Sequence, residues 1–96
     1  MNDEQLRRSL QSIGMACFVR YFPQFSDKSM GNEDLIELLM RKENYMESGC
    51  ITRVTQARRI IASERALDAL LIVESSARVP GEVSMAASRL ALNLQR

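Results

Sequence analysis

The chain has no histidine and no tryptophan, and its four glycines are dispersed. Histidine is the commonest general base and transition-metal ligand, so no Ser-His or Cys-His nucleophile pair can form within the chain. Scattered glycines exclude a glycine-rich loop that cradles phosphate, and two isolated cysteines do not make a zinc site. We therefore expect no catalytic residue, no metal site and no cofactor.

Carboxylates are the remaining source of acid-base or hard-metal chemistry. The candidates are Glu33, Asp34, Glu37, Glu43 and Glu47. The first three suit the opening of a helix, where the helix dipole favours negative charge, and Glu37 is spaced to pair with Arg41. This ordinary structural role is the better interpretation, and it favours a protein that is not an enzyme.

Long apolar runs are also missing. The longest, Ile13 to Val19 and Ala69 to Val73, are far shorter than the ~20 residues that cross a membrane, and no secretory leader opens the chain. We expect a cytoplasmic protein that does not contact membranes. Cys17 and Cys50 lie on apolar helical stripes and are predicted to be buried, reduced thiols.

The composition is that of one folded domain, 1-96, with 46% hydrophobic and 26% charged residues. The net charge is +1, distributed unevenly. Residues 1–52 carry six basic and eight acidic side chains, whereas residues 53–96 carry seven and four. This asymmetry is well below the basic footprint of a strong nucleic-acid binder.

Apolar residues recur with the 3.6-residue period of helices, and no stretch alternates as a strand does. The sequence predicts an all-α bundle of about five helices, at about 2-21, 33-42, 49-62, 64-76 and 80-94. Asn2 is the expected cap of the first helix, which should end near Tyr21 because Pro23 follows.

The last two predicted helices differ in character. Residues 64–76 are apolar nearly all round, which predicts the buried central helix of the core, although no Gly or Pro separates them from the helix before. In the last helix Val83, Ala87, Leu90 and Leu94 form an apolar stripe. That stripe either closes the core or mediates a homodimer, since its spacing is that of a heptad.

The third predicted helix contains the candidate binding residues. A rotation of 100° per residue places Thr52, Gln56 and Arg59 opposite its apolar stripe, with Arg53 and Arg58 on the two flanks. Such a face is either merely solvated, or contacts a protein, or enters the DNA major groove. In the DNA interpretation Gln56 addresses adenine, Arg59 addresses guanine, and the flanking arginines reach phosphates.

A helix-turn-helix needs three or four residues between its helices. The stretch from Lys42 to Ser48 is too long for this unless the second helix extends through Tyr45. We therefore expect a non-catalytic regulatory or adaptor protein that binds another macromolecule, most readily a protein, through helical surfaces. A DNA-binding regulator that reads through the third helix is the alternative.

Aromatic residues and methionines each allow two interpretations. Phe18, Tyr21, Phe22 and Phe25 form either a core corner or a partner-binding anchor. Among the methionines, Met30 is expected to be exposed. The gap-filling candidates are Met15, Met40, Met46 and Met85. An adaptable, methionine-rich groove is the alternative for these residues.

Overall fold

The computed structural model covers residues 1–96 and contains helices but no strands, which confirms the all-α prediction. The number of helices is seven rather than five. They are α1 (Asp3–Ile13), α2 (Met15–Arg20), α3 (Phe22–Phe25), α4 (Asn32–Glu43), α5 (Glu47–Ala62), α6 (Ala66–Ser75) and α7 (Gly81–Leu94). None of them has both the length and the apolar character needed to cross a membrane.

The predicted first helix, 2–21, is wrong because it is interrupted at Gly14. Gly14 has a φ of +88°, a left-handed conformation that glycine adopts at little cost, and its N–H donates to the carbonyl of Leu10. The chain turns there, so that α1 packs against α5 while α2 packs against α7. Apolar spacing continues across the break because both helices face the same core, and the sequence period therefore conceals it.

The start of α1 is as predicted. Asn2 accepts a hydrogen bond from the backbone N–H of Gln5 at 2.8 Å, and the Gln5 side chain accepts one from the Asn2 N–H at 3.0 Å. Arg65 forms ion pairs with both Asp3 and Asp68. This arginine thereby joins the first turn of α1 to the first turn of α6.

The aromatic residues form a core corner, as the first of their two interpretations predicts. The rings of Phe18 and Phe22 pack edge to face with centroids 5.5 Å apart, and Phe25 lies 6.4 Å from Phe18. Tyr21 completes the group against Phe25 at 6.5 Å. All four side chains are buried, so none is available as an anchor for a partner.

The central helix is α5, not the helix predicted at 64–76. α5 contacts α1, α3, α4 and α6, whereas α6 packs mainly against α7. Leu71 on α6 is consequently 41% exposed. The prediction is wrong because an apolar composition does not specify how many neighbours a helix receives.

α5 and α6 are separate helices, divided at Glu64, whose φ of +59° is left-handed without a glycine. In α7 the buried stripe is Val83, Ala87 and Ala91, while Leu94 is 46% exposed. Part of the predicted stripe on the last helix, Val83 and Ala87, is thus buried in the core, whereas Leu94 is not.

Candidate binding site

The connection between α4 and α5 has only three residues, from Asn44 to Met46. It is shorter than the sequence suggests because α4 extends to Glu43 and α5 begins at Glu47. Asn44 ends α4 in the left-handed conformation, with a φ of 58°. This length is within the three to four residues that a helix-turn-helix uses.

Arg53, one of the candidate binding residues, lies against this connection. Its guanidinium covers the ring of Tyr45, and its Nε is buried without a hydrogen-bond partner. The absence of a side chain at Gly49 makes room for this arrangement, since a Cβ there would lie 2.8 Å from Nη1 of Arg53. The positive charge of Arg53 is therefore held close to the protein surface rather than extended into solvent.

Two other candidates make contacts within the fold. Arg58 donates to the carbonyl of Met30 at 2.7 Å and to that of Asp27 at 3.1 Å, which fixes the loop before α4. Gln56 accepts a hydrogen bond from the hydroxyl of Ser9 at 2.8 Å, between α5 and α1. Ser9 is the one buried polar residue, and its position on α1 gave no sequence signal of this bond.

Thr52 and Arg59 are exposed, as predicted. The hydroxyl of Thr52 donates to the carbonyl of Ser48, while the side chain of Arg59 makes no hydrogen bond or ion pair within the chain. Arg59 lines a polar cleft of about 300 Å³ between α1 and α5, together with Arg8. The five candidate residues therefore do not form one continuous basic surface.

A groove between α4 and α5, which we call the α4–α5 groove, is the more distinctive surface. It has a volume of about 480 Å³ and combines three apolar with three acidic side chains. They are Ile36, Met40, Ile51, Glu33, Glu37 and Glu47. Met40 is 38% and Ile51 45% exposed, which leaves their apolar atoms accessible to a partner.

Methionines lie on the surface more than the sequence suggests. Met40, Met46 and Met85 are exposed rather than filling gaps in the core, and Met46 at 80% is the most exposed large apolar side chain. Met30, expected in solvent, instead packs in part against the core. Of these methionines, Met40 alone lines the α4–α5 groove, and Met46 lies in the connection that precedes α5.

Of the three groove carboxylates, the sequence predicts a helix-opening role for Glu33 and Glu37 and assigns no role to Glu47. Glu37 makes no ion pair with Arg41, although their spacing permits one, and it faces the groove instead. Ile51 was also missed, because it lies outside the apolar stripe of α5. Its position on the polar side of an amphipathic helix was the available signal.

Glu43, the last residue of α4, accepts several hydrogen bonds beside the connection between α4 and α5. Its carboxylate accepts hydrogen bonds from the Tyr21 hydroxyl at 2.7 Å and from Arg20 at 2.8 Å, and a longer one from Tyr45. The bond from Tyr21, reinforced by Arg20, holds the pKa of Glu43 below its usual range. Burial, followed by the bond to Glu43, raises the pKa of Tyr21 to about 12. No cluster of three or more potential metal ligands is present.

Comparison of the chain with protein-family models, with curated proteins and with solved structures found no match.

Proposed function

We propose that this protein is a non-catalytic regulatory or adaptor module that binds a protein partner, and that the partner contributes a basic, amphipathic helix to the α4–α5 groove. The observation that carries this proposal is the pairing of exposed apolar side chains with an acidic border in one groove. Met40 and Ile51 offer apolar contact, while Glu33, Glu37 and Glu47 offer negative charge.

Amphipathic helices commonly bind by laying their apolar face into such a groove. Met40 can adapt its shape to different apolar partners because its side chain is unbranched and has several rotatable bonds. Carboxylates at the border attract lysine and arginine, which favours one partner charge and speeds association. A basic helix satisfies both features, whereas an acidic helix would be repelled.

The test uses a synthetic helical peptide of about 18 residues, roughly five turns, with leucines along one face and lysines elsewhere. Isothermal titration calorimetry should give one binding site per chain. The same peptide with glutamate in place of lysine should not bind. Equal binding of both peptides would contradict the role of the acidic border.

Variants locate the binding. Met40→Gln combined with Ile51→Gln should weaken the lysine peptide about tenfold or more, because each change removes roughly 1 kcal/mol of apolar contact. Leu71→Gln on α6 is the matched control, since Leu71 is also exposed but lies outside the groove. If the control weakens binding as much as the groove variant does, the peptide occupies another surface.

DNA binding through α5 is a second candidate, favoured by the three-residue connection to α4 and by the exposure of Thr52 and Arg59. Against it, Glu47 stands at the N-terminal end of α5, where a phosphate would approach. We expect no salt-sensitive binding of mixed-sequence duplex DNA at micromolar protein. Binding that falls steeply with salt and is abolished by Arg59→Ala with Arg53→Ala would support the DNA candidate instead.

We further propose that the protein acts in the cytoplasm and can form a homodimer. The buried, free thiols of Cys17 and Cys50 suit a reducing compartment. Exposed Leu92, Leu94 and Met85 on α7 are the apolar residues that remain for contact between two copies. Sedimentation velocity over a range of concentrations tests the dimer, and a monomer at all concentrations would refute it.

A further inference from the structure

We propose that the cleft beside Arg53 and Arg78 binds a small organic carboxylate with an apolar or aromatic body. Four parts of the chain meet there: the bend between α1 and α2 at Gly14, the connection carrying Tyr45, Arg53 on α5, and the residues that precede α7. The cleft shares no lining residue with the α4–α5 groove, so this site is independent of the proposed protein contact.

The size and the walls of the cleft suit a small molecule. Its volume is about 410 Å³, within the roughly 300 to 1,000 Å³ of ligand pockets. Most of the lining is apolar, and Leu10, Ile13 and Cys17 form parts of it that belong to the buried core. Such walls favour a hydrocarbon or aromatic body over an inorganic ion.

The charges in the cleft are all of one sign. Arg53 and Arg78 both line it, and neither side chain forms an ion pair or a hydrogen bond within the chain. The Nε of Arg53 is buried with no partner, although buried N–H groups are normally satisfied. An incoming carboxylate could bind a guanidinium in the cleft through two parallel hydrogen bonds from its Nη groups.

No acidic residue lines the cleft to neutralise these arginines. Glu43 accepts a long hydrogen bond from the hydroxyl of Tyr45, a residue that lines the cleft. Its carboxylate already accepts hydrogen bonds from Arg20 and from the hydroxyl of Tyr21. The guanidinium of Arg53 packs on the Tyr45 ring and lies close to the backbone of Gly49. These contacts order the guanidinium before a ligand arrives. Such preorganisation lowers the entropic cost of binding.

The experiment is an NMR titration of the full chain, uniformly labelled with ¹⁵N, with 2-naphthoate as the probe. Saturable shifts are expected at the amides of Gly14, Tyr45 and Val79, which line the cleft. The matched control ligand is 2-naphthylmethanol, which keeps the aromatic body and lacks the charge. It should bind at least about tenfold more weakly, since it offers the arginines no charged acceptor.

Arg78→Gln is the decisive variant because Arg78 is exposed and its loss should leave the fold intact. The variant should lower the affinity for 2-naphthoate about tenfold and leave the affinity for 2-naphthylmethanol unchanged. Arg41→Gln on α4 is the control and should alter neither ligand. Gly49→Ala, which displaces the Arg53 guanidinium, should also weaken 2-naphthoate selectively.

The proposal would be overturned by the absence of a saturable shift with 2-naphthoate, by equal affinity for the two ligands, or by full affinity in Arg78→Gln. Shifts confined to the α4–α5 groove would also overturn it. None of these results bears on the lysine peptide, whose binding depends on Met40 and Ile51.

Discussion

The guanidinium carbon of Arg53 lies 3.8 Å from the centroid of the Tyr45 ring. This contact joins α5 to the connection that precedes it, and it gives a residue predicted to bind a partner a structural role as well. A cation over an aromatic face is worth roughly 0.5 to 1 kcal/mol, and more when water is excluded.

A double-mutant cycle measures this contact. Tyr45→Leu, Arg53→Met and the double variant should give a coupling free energy of about 0.5 to 1 kcal/mol in denaturant unfolding. The pair Tyr45→Leu and Arg59→Met is the control and should be additive, because Arg59 lies six residues farther along α5. A coupling of zero in the first cycle would mean that the ring and the cation contribute independently.

Arg58 and Arg59 are neighbours in sequence with different roles, and they form a matched pair of variants. Arg58→Met should lower the free energy of unfolding by about 1 to 3 kcal/mol, because the carbonyls of Asp27 and Met30 lose a charged donor. Arg59→Met should change it by less than about 0.5 kcal/mol, since Arg59 has no partner within the chain. Urea denaturation checks both, and equal effects would show that the loop contact contributes no stability.

Glu64 is expected to be a site where glycine stabilises the protein. Its left-handed backbone, with a φ of 59°, is strained for a residue with a Cβ. Glu64→Gly should raise the free energy of unfolding by about 0.5 to 1 kcal/mol. Ala62→Gly, placed in the last turn of α5, should lower it by a similar amount, and thermal unfolding of the two variants gives the comparison. A loss of stability in Glu64→Gly would show that the backbone at this position is not strained.

Cys17 should contribute to alkaline sensitivity. Burial raises the pKa of its thiol from about 9 to about 11, against the opposing charge of Arg53. Because the folded state holds this proton more tightly than the unfolded chain, the contribution to stability is complete below pH 9 and is lost as the pH rises toward 11.

The free energy of unfolding should therefore fall between about pH 9 and pH 11, and the fall should be smaller in Cys17→Ala. Tyr21, whose pKa is raised from 10 to about 12, adds a further loss of stability above pH 10 in both proteins. The thiol should also react slowly with a disulfide reagent at pH 8, because the thiolate is scarce and buried. Identical pH profiles for the two proteins would exclude Cys17 as the source.

Local chemistry accounts for the features that the sequence predicts well. The capping box at Asn2 depends on Gln5, three residues away. The buried stripe of α5, which includes Cys50, Val54 and Ala57, follows from the helical period. The exposure of Thr52 and Arg59 follows from the same geometry, because both lie opposite the stripe.

The candidate site could be predicted only in part, because its side chains meet partners that are distant in sequence. Arg58 bonds to a carbonyl 31 residues away, and Ser9 reaches Gln56 across 47 residues. The α4–α5 groove likewise combines Ile36 with Ile51, which belong to different helices. A pattern within one helix contains no information about such neighbours.

The sequence by itself determined that this protein is helical, where most of its helices lie and which stripe of each is apolar, because these depend on spacings of three and four residues. Only the tertiary structure decided that the chain bends at Gly14, that α5 lies at the centre, and that Arg53 covers Tyr45. The physical reason is that burial depends on which surfaces meet. That choice is made by the whole set of helices packing together.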